Sequence, residues 1–185
     1  MGYMVNLVVE GREALIVGGG EIASRKVEDL LAAKARVTLV APGVCEKIEA
    51  LADRIQLHRR PYEPGDIGDA FVVIAATDDE ALNAAVSRDC AARNVLVNVV
   101  DRPALCTFTV PATVHRGDLT IAIATNGRCP AFASILREEL EDRYDPEYGE
   151  LVERFAQLRC EMMAQGWSGP KIRSRLAAIY SGEAG

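Results

Sequence analysis

The segment Ala14-Leu15-Ile16-Val17-Gly18-Gly19-Gly20-Glu21-Ile22-Ala23-Ser24-Arg25-Lys26 constrains the fold of this chain more than any other. An apolar strand runs into three glycines and then directly into a helix. Such a turn lets backbone approach the pyrophosphate of a dinucleotide. Gly18 permits the tight bend, Gly20 has no side chain to hold the phosphates off, and Ala23 lets the helix pack close to the strand. The first helical residues, Glu21 and Ile22, would offer unpaired N–H groups and a partial positive charge. The pattern points to a nicotinamide or flavin cofactor and to redox chemistry.

The spacing alone, Gly-x-Gly-x-x-Ala, also occurs in loops that bind nothing; its surroundings give it weight. A helix is expected from Ile22 to about Ala33, with Val27, Leu30 and Leu31 on one face. A second strand, Arg36 to Ala41, follows at βαβ distance. The acidic residue that commonly holds the ribose at the end of that strand is absent, and Ala41-Pro42-Gly43 stands there instead. Backbone at Pro42 and Gly43 is therefore expected to meet the ribose. The choice between NAD and NADP is not legible by the usual rule.

The 185 residues allow one ordinary domain with an extension, or two small ones. A net charge of −6 argues against a general nucleic-acid binder. The start of the chain has no signal-peptide pattern, and no segment approaches the ~20 apolar residues of a membrane span. Cys45, Cys90, Cys106, Cys129 and Cys160 are scattered and form no Cys-x-x-Cys pair, which suits reduced thiols in the cytoplasm. The two histidines, His58 and His115, are too distant to suggest a metal site, and none is assigned.

Further along, Tyr3 to Val9 could form an edge strand. Glu46 to Asp53 suggests a helix and Ile55 to His58 a strand. Ala70 to Ala76 has the continuous apolar character of a buried parallel strand. Thr77-Asp78-Asp79-Glu80 predicts a capping box with Thr77 as N-cap, opening a helix to about Arg93. Asn94 to Asp101 turns back into a strand. The alternation predicts a doubly wound parallel sheet. Beyond Asp101 it stops. Phe108–Val110 and Leu119–Ala124 suggest two strands joined by a turn at His115 to Asp118. Pro130 opens a helix carrying Phe132, Ile135, Leu136 and Leu140. Two more helices follow, split at Gly166.

Several of these segments occur in a recognisable order: Val17-Gly18-Gly19-Gly20 with Ala23, Arg25 and Lys26; Val37 to Pro42; Ile74-Ala75-Ala76-Thr77-Asp78-Asp79; Val97-Asn98-Val99-Val100-Asp101; Pro111-Ala112; and Ala124-Thr125-Asn126-Gly127 before Pro130. Together they resemble the precorrin-2 dehydrogenase / sirohydrochlorin ferrochelatase family, which includes the N-terminal module of siroheme synthase. The resemblance covers roughly residues 4 to 145. It implies a Rossmann-like NAD-binding α/β domain (1–112), a small dimerisation segment (113–145) and a helical C-terminal segment (146–185), in a homodimer. The implied reaction is NAD-dependent oxidation of precorrin-2 to sirohydrochlorin. In some members Fe2+ insertion into the product follows. Two other readings stay open: a chelatase alone, and an NAD-binding module that senses redox state.

Within that resemblance Asp101 matches the family's functional aspartate and is the candidate general base; the plainer reading is a cap on the Arg102-Pro103 turn. Thr77 borders the expected cofactor cleft. Asn98 either pairs with nearby backbone or meets the nicotinamide amide. A tetrapyrrole polycarboxylate needs local cations, and Arg25, Lys26, Arg102, Arg116, Arg128 and Arg137 are candidates, with Arg116, Arg128 and Arg137 favoured as substrate-binding. Arg128-Cys129 replaces a Thr-Ser pair common in the family. Cys129 at a helix start and His115 both raise the question of a metal role, though a small buried thiol and an exposed histidine are the commoner cases.

Overall fold

Residues Glu13–Val17 form β1, which lies at the centre of the first unit because its side chains are apolar on both faces. Ala14 and Ile16 point into one hydrophobic cluster, Leu15 and Val17 into the other, the alternation every strand imposes. The computed structural model describes residues 2–182. From β1 the chain runs through α1 (Glu21–Ala32), β2 (Arg36–Val40), the short α2 (Glu46–Glu49), β3 (Gln56–His58), β4 (Val72–Ala75), α3 (Glu80–Ala92) and β5 (Leu96–Val99). All pairings are parallel, and the strand order is β3-β2-β1-β4-β5. Every residue of β4 is buried, as its unbroken apolar run predicts.

Ala23 and Val27 of α1 are fully buried against one face of the sheet; Val86 and Cys90 of α3 cover the other. Burying Val27 and Val86 stabilises the fold by roughly 1.5–3 kcal/mol each. Burial also pushes the Cys90 thiol up to about 11, so it stays protonated and inert at neutral pH.

The second unit begins at Pro111. It contains β6 (Ala112–Arg116), β7 (Leu119–Ile123), α4 (Pro130–Arg143), α5 (Glu147–Ala164) and α6 (Gly169–Tyr180). The two strands form an antiparallel hairpin on which α4 and α5 pack, and α5 packs on α6. The 145/146 division expected from the sequence falls inside this unit. Residues 183–185 of the expected helical segment lie outside the described residues. Among the described residues no helix is long and apolar enough to cross a membrane.

Four expectations are corrected. Tyr3 to Val9 is not a strand: Tyr3, Val5 and Val8 are exposed and find no sheet edge to join. Glu46 to Asp53 does not form one helix; α2 ends at Glu49, and a short 3-10 turn follows over Ala52–Arg54. Phe108–Val110 is not a strand either. Pro111 cannot donate to a ladder, pairing starts at Ala112, and the turn shrinks to Gly117-Asp118. His115 and Arg116 thus lie in β6, opposite Thr120 and Leu119. Finally, the N-cap of α3 is Asp79, whose carboxylate accepts from Leu82 N–H at 3.0 Å, and not Thr77. Asp79 sits directly before the first helical residue, where its side chain reaches the free N–H groups; Thr77 is two residues too early.

Candidate functional site

The strand order reverses between β1 and β4, since β1 continues to β2 on one side and to β4 on the other. Ligands of open α/β sheets bind outside the carboxyl ends of the strands at this switch point. A cleft lies there, lined by Val17, Gly18, Gly20, Pro42, Tyr62 and Thr77 among others. Its volume is about 620 Å3, within the range of small-molecule sites.

The glycines have separate tasks. A Cβ on Gly18 would lie 2.2 Å from the Ala76 carbonyl oxygen, and its φ of +125° is a conformation L side chains avoid. A Cβ on Gly19 would lie 2.0 Å from the Gly43 carbonyl oxygen. These two residues let the turn close against β4 and against the loop after β2. Gly20 has an ordinary extended backbone, and a Cβ there would meet nothing within 4 Å. Its bareness serves the open cleft and not the packing. In α1 the first intrahelical bond runs from Ser24 N–H to Gly20 C=O at 3.0 Å. The N–H groups of Glu21, Ile22 and Ala23 therefore have no intrahelical acceptor, as a pyrophosphate site requires.

Opposite the glycine turn, Thr77 is fixed from below. Asn83 is buried on α3; its Oδ1 accepts from Thr77 Oγ1 and its Nδ2 donates to Thr77 C=O, both at 2.8 Å. On the β3 side Tyr62 enters the lining, its hydroxyl donating to Asp89 at 3.0 Å. Burial and the carboxylate beside it push the phenol upward, so Tyr62 remains neutral.

The loop carrying Tyr62 is held by Arg60, whose guanidinium grips Asp66 at 2.9 and 2.5 Å, while Glu63 N–H donates to the same carboxylate at 2.8 Å. Arg60 holds the Asp66 carboxyl below its ordinary 3.8. A lowered carboxyl stabilises the fold above 3.8 and loses that contribution as pH falls through the lowered value. Asp66→Asn is therefore expected to cost about 1–3 kcal/mol at neutral pH. The gap in melting temperature from the parent should close below pH 3.8. A gap that persists unchanged in acid would mean the ion pair is not its source. Next along the chain, Arg59 is paired through both oxygens of Glu49.

Of the residues expected from sequence to bind cofactor, Gly18, Gly20, Glu21, Ile22, Pro42, Gly43 and Thr77 all line this cleft. Glu21 also binds Lys47 at 2.6 Å, and that contact raises the lysine. Asn98 is outside the lining: its amide nitrogen donates to Phe108 C=O at 3.1 Å, so it takes the backbone-pairing alternative. Asp78 and Asp79, which follow Thr77 at the carboxyl end of β4, line the cleft with it, and Gly19 and Tyr62 join the lining without having been expected as binding residues. Of these last two, only Gly19 carried a local signal, as the middle of the triplet.

Asp101 stands two residues beyond β5, exposed, with φ +57°. Among the described residues no hydrogen bond or ion pair engages its carboxylate. The capping alternative is thus not what the structure displays: the short turn at Pro103–Leu105 has no side-chain cap. Asp101 is outside the cleft lining, and it shares its left-handed backbone with Lys34, Asn94 and Asn126.

The basic candidates are mostly occupied. Arg116 donates to Tyr144 C=O at 2.6 Å and to Glu141 C=O at 3.0 Å. It neutralises the carboxyl end of α4, as a cation there should, and is not available for substrate. Arg137 is paired with Glu141 at 2.5 Å and Glu138 at 3.4 Å. Arg102 pairs with Glu80, and Lys26 with Asp29. Arg128 is exposed in the turn before α4 and has no carboxylate partner among the described residues. Cys129, expected small and buried if not a ligand, is exposed. His115 Nδ1 lies 3.1 Å from Thr120 Oγ1 across the hairpin. Among the described residues no group of three or more His, Cys, Asp or Glu could hold a metal ion.

Residues 5–112 match the family described as putative NAD(P)-binding, and residues 116–143 match the central segment of sirohaem biosynthesis proteins. The chain is 42% identical to siroheme synthase of Methylobacillus flagellatus, over 94% of its own length and 38% of the relative's. It is 44% identical to that of Pseudomonas aeruginosa, over 78% and 31%. It thus spans under two fifths of these curated relatives. Among solved structures it resembles SirC, a precorrin-2 dehydrogenase, with a TM-score of 0.79 and 28% identity, covering 96% of this chain and 89% of that one. The chain belongs to the putative NAD(P)-binding family, whose model covers residues 5–112.

Proposed function

We propose that the protein oxidises precorrin-2 to sirohydrochlorin with NAD+ as the hydride acceptor, a step of siroheme biosynthesis. The observation that carries this reading is the likeness to SirC over nearly the whole of both chains, joined to a glycine-lined cleft that leaves Gly20 open to a pyrophosphate. Bound NAD+ supplies an electrophilic ring carbon that takes two electrons and one hydrogen as hydride. The chain supplies the rest. Gly18 and Gly19 shape the turn, the first N–H groups of α1 hold the phosphates, and Asn83 keeps Thr77 in place. The Asp101 carboxylate takes the proton that leaves the macrocycle with the hydride, which balances the oxidation. The same carboxylate is free to accept pyrrole N–H protons if Fe2+ is then inserted.

The test is direct. Precorrin-2 and NAD+ incubated with the protein should yield sirohydrochlorin and NADH in equal amounts. Tight NAD+ binding with no NADH formed would favour a redox-sensing module instead. Adding Co2+ or Fe2+ to sirohydrochlorin, with and without protein, tests chelation.

We further propose a homodimer formed through the segment 113–145. Phe132 and Ile135 are more than half exposed on α4, a placement that leaves apolar surface for a second copy. Phe132→Ser with Ile135→Ser should convert a dimer to a monomer in sedimentation velocity; an unchanged dimer would place the interface elsewhere. The five cysteines are unpaired, which supports a cytoplasmic location.

A further inference from the structure

Strand β5 is an outer strand of the sheet, yet its Val97 and Val99 are buried. Buried N–H groups need acceptors, and side chains of the returning segment supply them in place of a sixth strand. Val97 N–H donates to Thr107 Oγ1 at 2.8 Å, and Val99 N–H donates to Cys106 Sγ at 3.1 Å. The sulfur reaches further than the hydroxyl. Among the described residues the Thr107 hydroxyl bonds only Val97. Cys106 Sγ lies 3.2 Å from Val99 C=O and 3.3 Å from Arg102 C=O, and its one hydrogen donates to either. Those carbonyls belong to the two ends of a turn, Val99-Val100-Asp101-Arg102, which Arg102 N–H closes by donating to Val99 C=O at 3.2 Å. Asp101 holds the third position of this turn, at φ +57°, a conformation that a residue other than glycine adopts at a cost. The thiol is itself anchored: Ser87 Oγ on α3 donates to C=O of the preceding Leu105 at 2.8 Å.

We propose that Cys106 is a positioning residue: its thiol clasps both ends of the turn and so sets where the Asp101 carboxylate stands. The task given to that carboxylate rests on the proposed oxidation. A general base works only within hydrogen-bond reach of the proton it takes, and a misplacement of about 1 Å can cost 10²-fold in rate. The thiol suits the task because it both accepts and donates. It takes the buried N–H of Val99 and gives its hydrogen to a carbonyl of the turn, so one side chain ties the end of β5 to the backbone on either side of Asp101. Thr107 serves the same edge of β5 two residues earlier, at Val97, and does not touch the turn. It is the natural control.

Single-turnover oxidation of precorrin-2, NAD+ affinity and amide hydrogen exchange are measured on the full chain, at a temperature where parent and variants are all folded. Cys106→Ala is expected to react at least about tenfold more slowly, with the NAD+ Kd unchanged. Cys106→Ser should recover the rate to within about threefold of the parent, since a hydroxyl keeps a donor and an acceptor. Thr107→Val removes a bond from the same edge and should lower the melt, yet leave the rate alone. Exchange at the Arg102 amide should quicken at least about tenfold in Cys106→Ala and stay unchanged in Thr107→Val. In the Asp101→Asn background Cys106→Ala should cost nothing more, because both act through one carboxylate. Losses that multiply in the double variant overturn the clasp and leave Asp101 as the base. So does an equal loss of rate in Thr107→Val, no recovery in Cys106→Ser, or unchanged exchange at Arg102. Full turnover in Asp101→Asn, or no NADH from the parent, removes the reading beneath the proposal and the proposal with it.

Discussion

Asp101→Asn is expected to lower the rate of precorrin-2 oxidation by about 10²–10⁴-fold, the usual contribution of a positioned general base, while NAD+ binds as before. Asparagine is the informative replacement because it keeps size and polarity. It also tolerates the left-handed backbone that Asp101 adopts at φ +57°. Alanine there adds a backbone penalty of roughly 1–2 kcal/mol, so a loss of activity in Asp101→Ala alone would mix strain with chemistry. Three measurements separate the possibilities: the melt, the NAD+ dissociation constant and the single-turnover rate. Only the last should change in Asp101→Asn. Turnover within twofold of the parent would take this carboxylate out of the reaction, and the proton acceptor would have to be sought elsewhere.

Gly18→Ala and Gly20→Val should fail in opposite ways. At Gly18 the new methyl would lie 2.2 Å from the Ala76 carbonyl oxygen, in a backbone conformation with φ +125°. Overpacking costs about 1–3 kcal/mol and the strained backbone a similar amount. The sum, about 2–6 kcal/mol, is a large share of a typical domain's 5–15 kcal/mol. The melt of Gly18→Ala should fall by roughly 5–20 °C. At Gly20 the side chain enters open cleft, so the fold should lose only about 1 kcal/mol from the helix cap. NAD+ affinity should instead drop by at least about tenfold, because the valine occupies the space a phosphate needs. If Gly18→Ala melts like the parent, the close approach of the turn to β4 is not real. If Gly20→Val binds NAD+ normally, the dinucleotide does not use this turn.

The sheet was legible in the sequence because its cause is local. Ala14 to Val17 and Val72 to Ala75 are apolar without alternation, and a buried parallel strand needs nothing more. Seven of the cleft residues followed from the glycine turn and from the ends of adjacent strands, which the βαβ rule places together. What escaped was decided by partners distant in the chain. Arg116 looked like a free cation in a turn, yet its role comes from carbonyls at Glu141 and Tyr144. Tyr62 gave no signal because its loop is positioned by Arg60–Asp66 and its hydroxyl by Asp89. Thr77 looked like a cap, since Thr-x-x-Glu fits that pattern; Asp79, closer to the helix, won the contact. Asn98 could be read two ways, and the carbonyl of Phe108 decided it.

The central position of β1 also bears on how the chain is made. This strand is made well before one of its two neighbours, β4, which begins only at Val72. At a translation rate of roughly 5–20 residues per second, one edge of β1 waits several seconds for its mate. During that interval a nascent apolar ribbon is open to mispairing, and parallel pairing across such a distance is slow to close. Overproduction at high temperature should therefore trap insoluble protein unless synthesis is slowed or a holding chaperone is supplied.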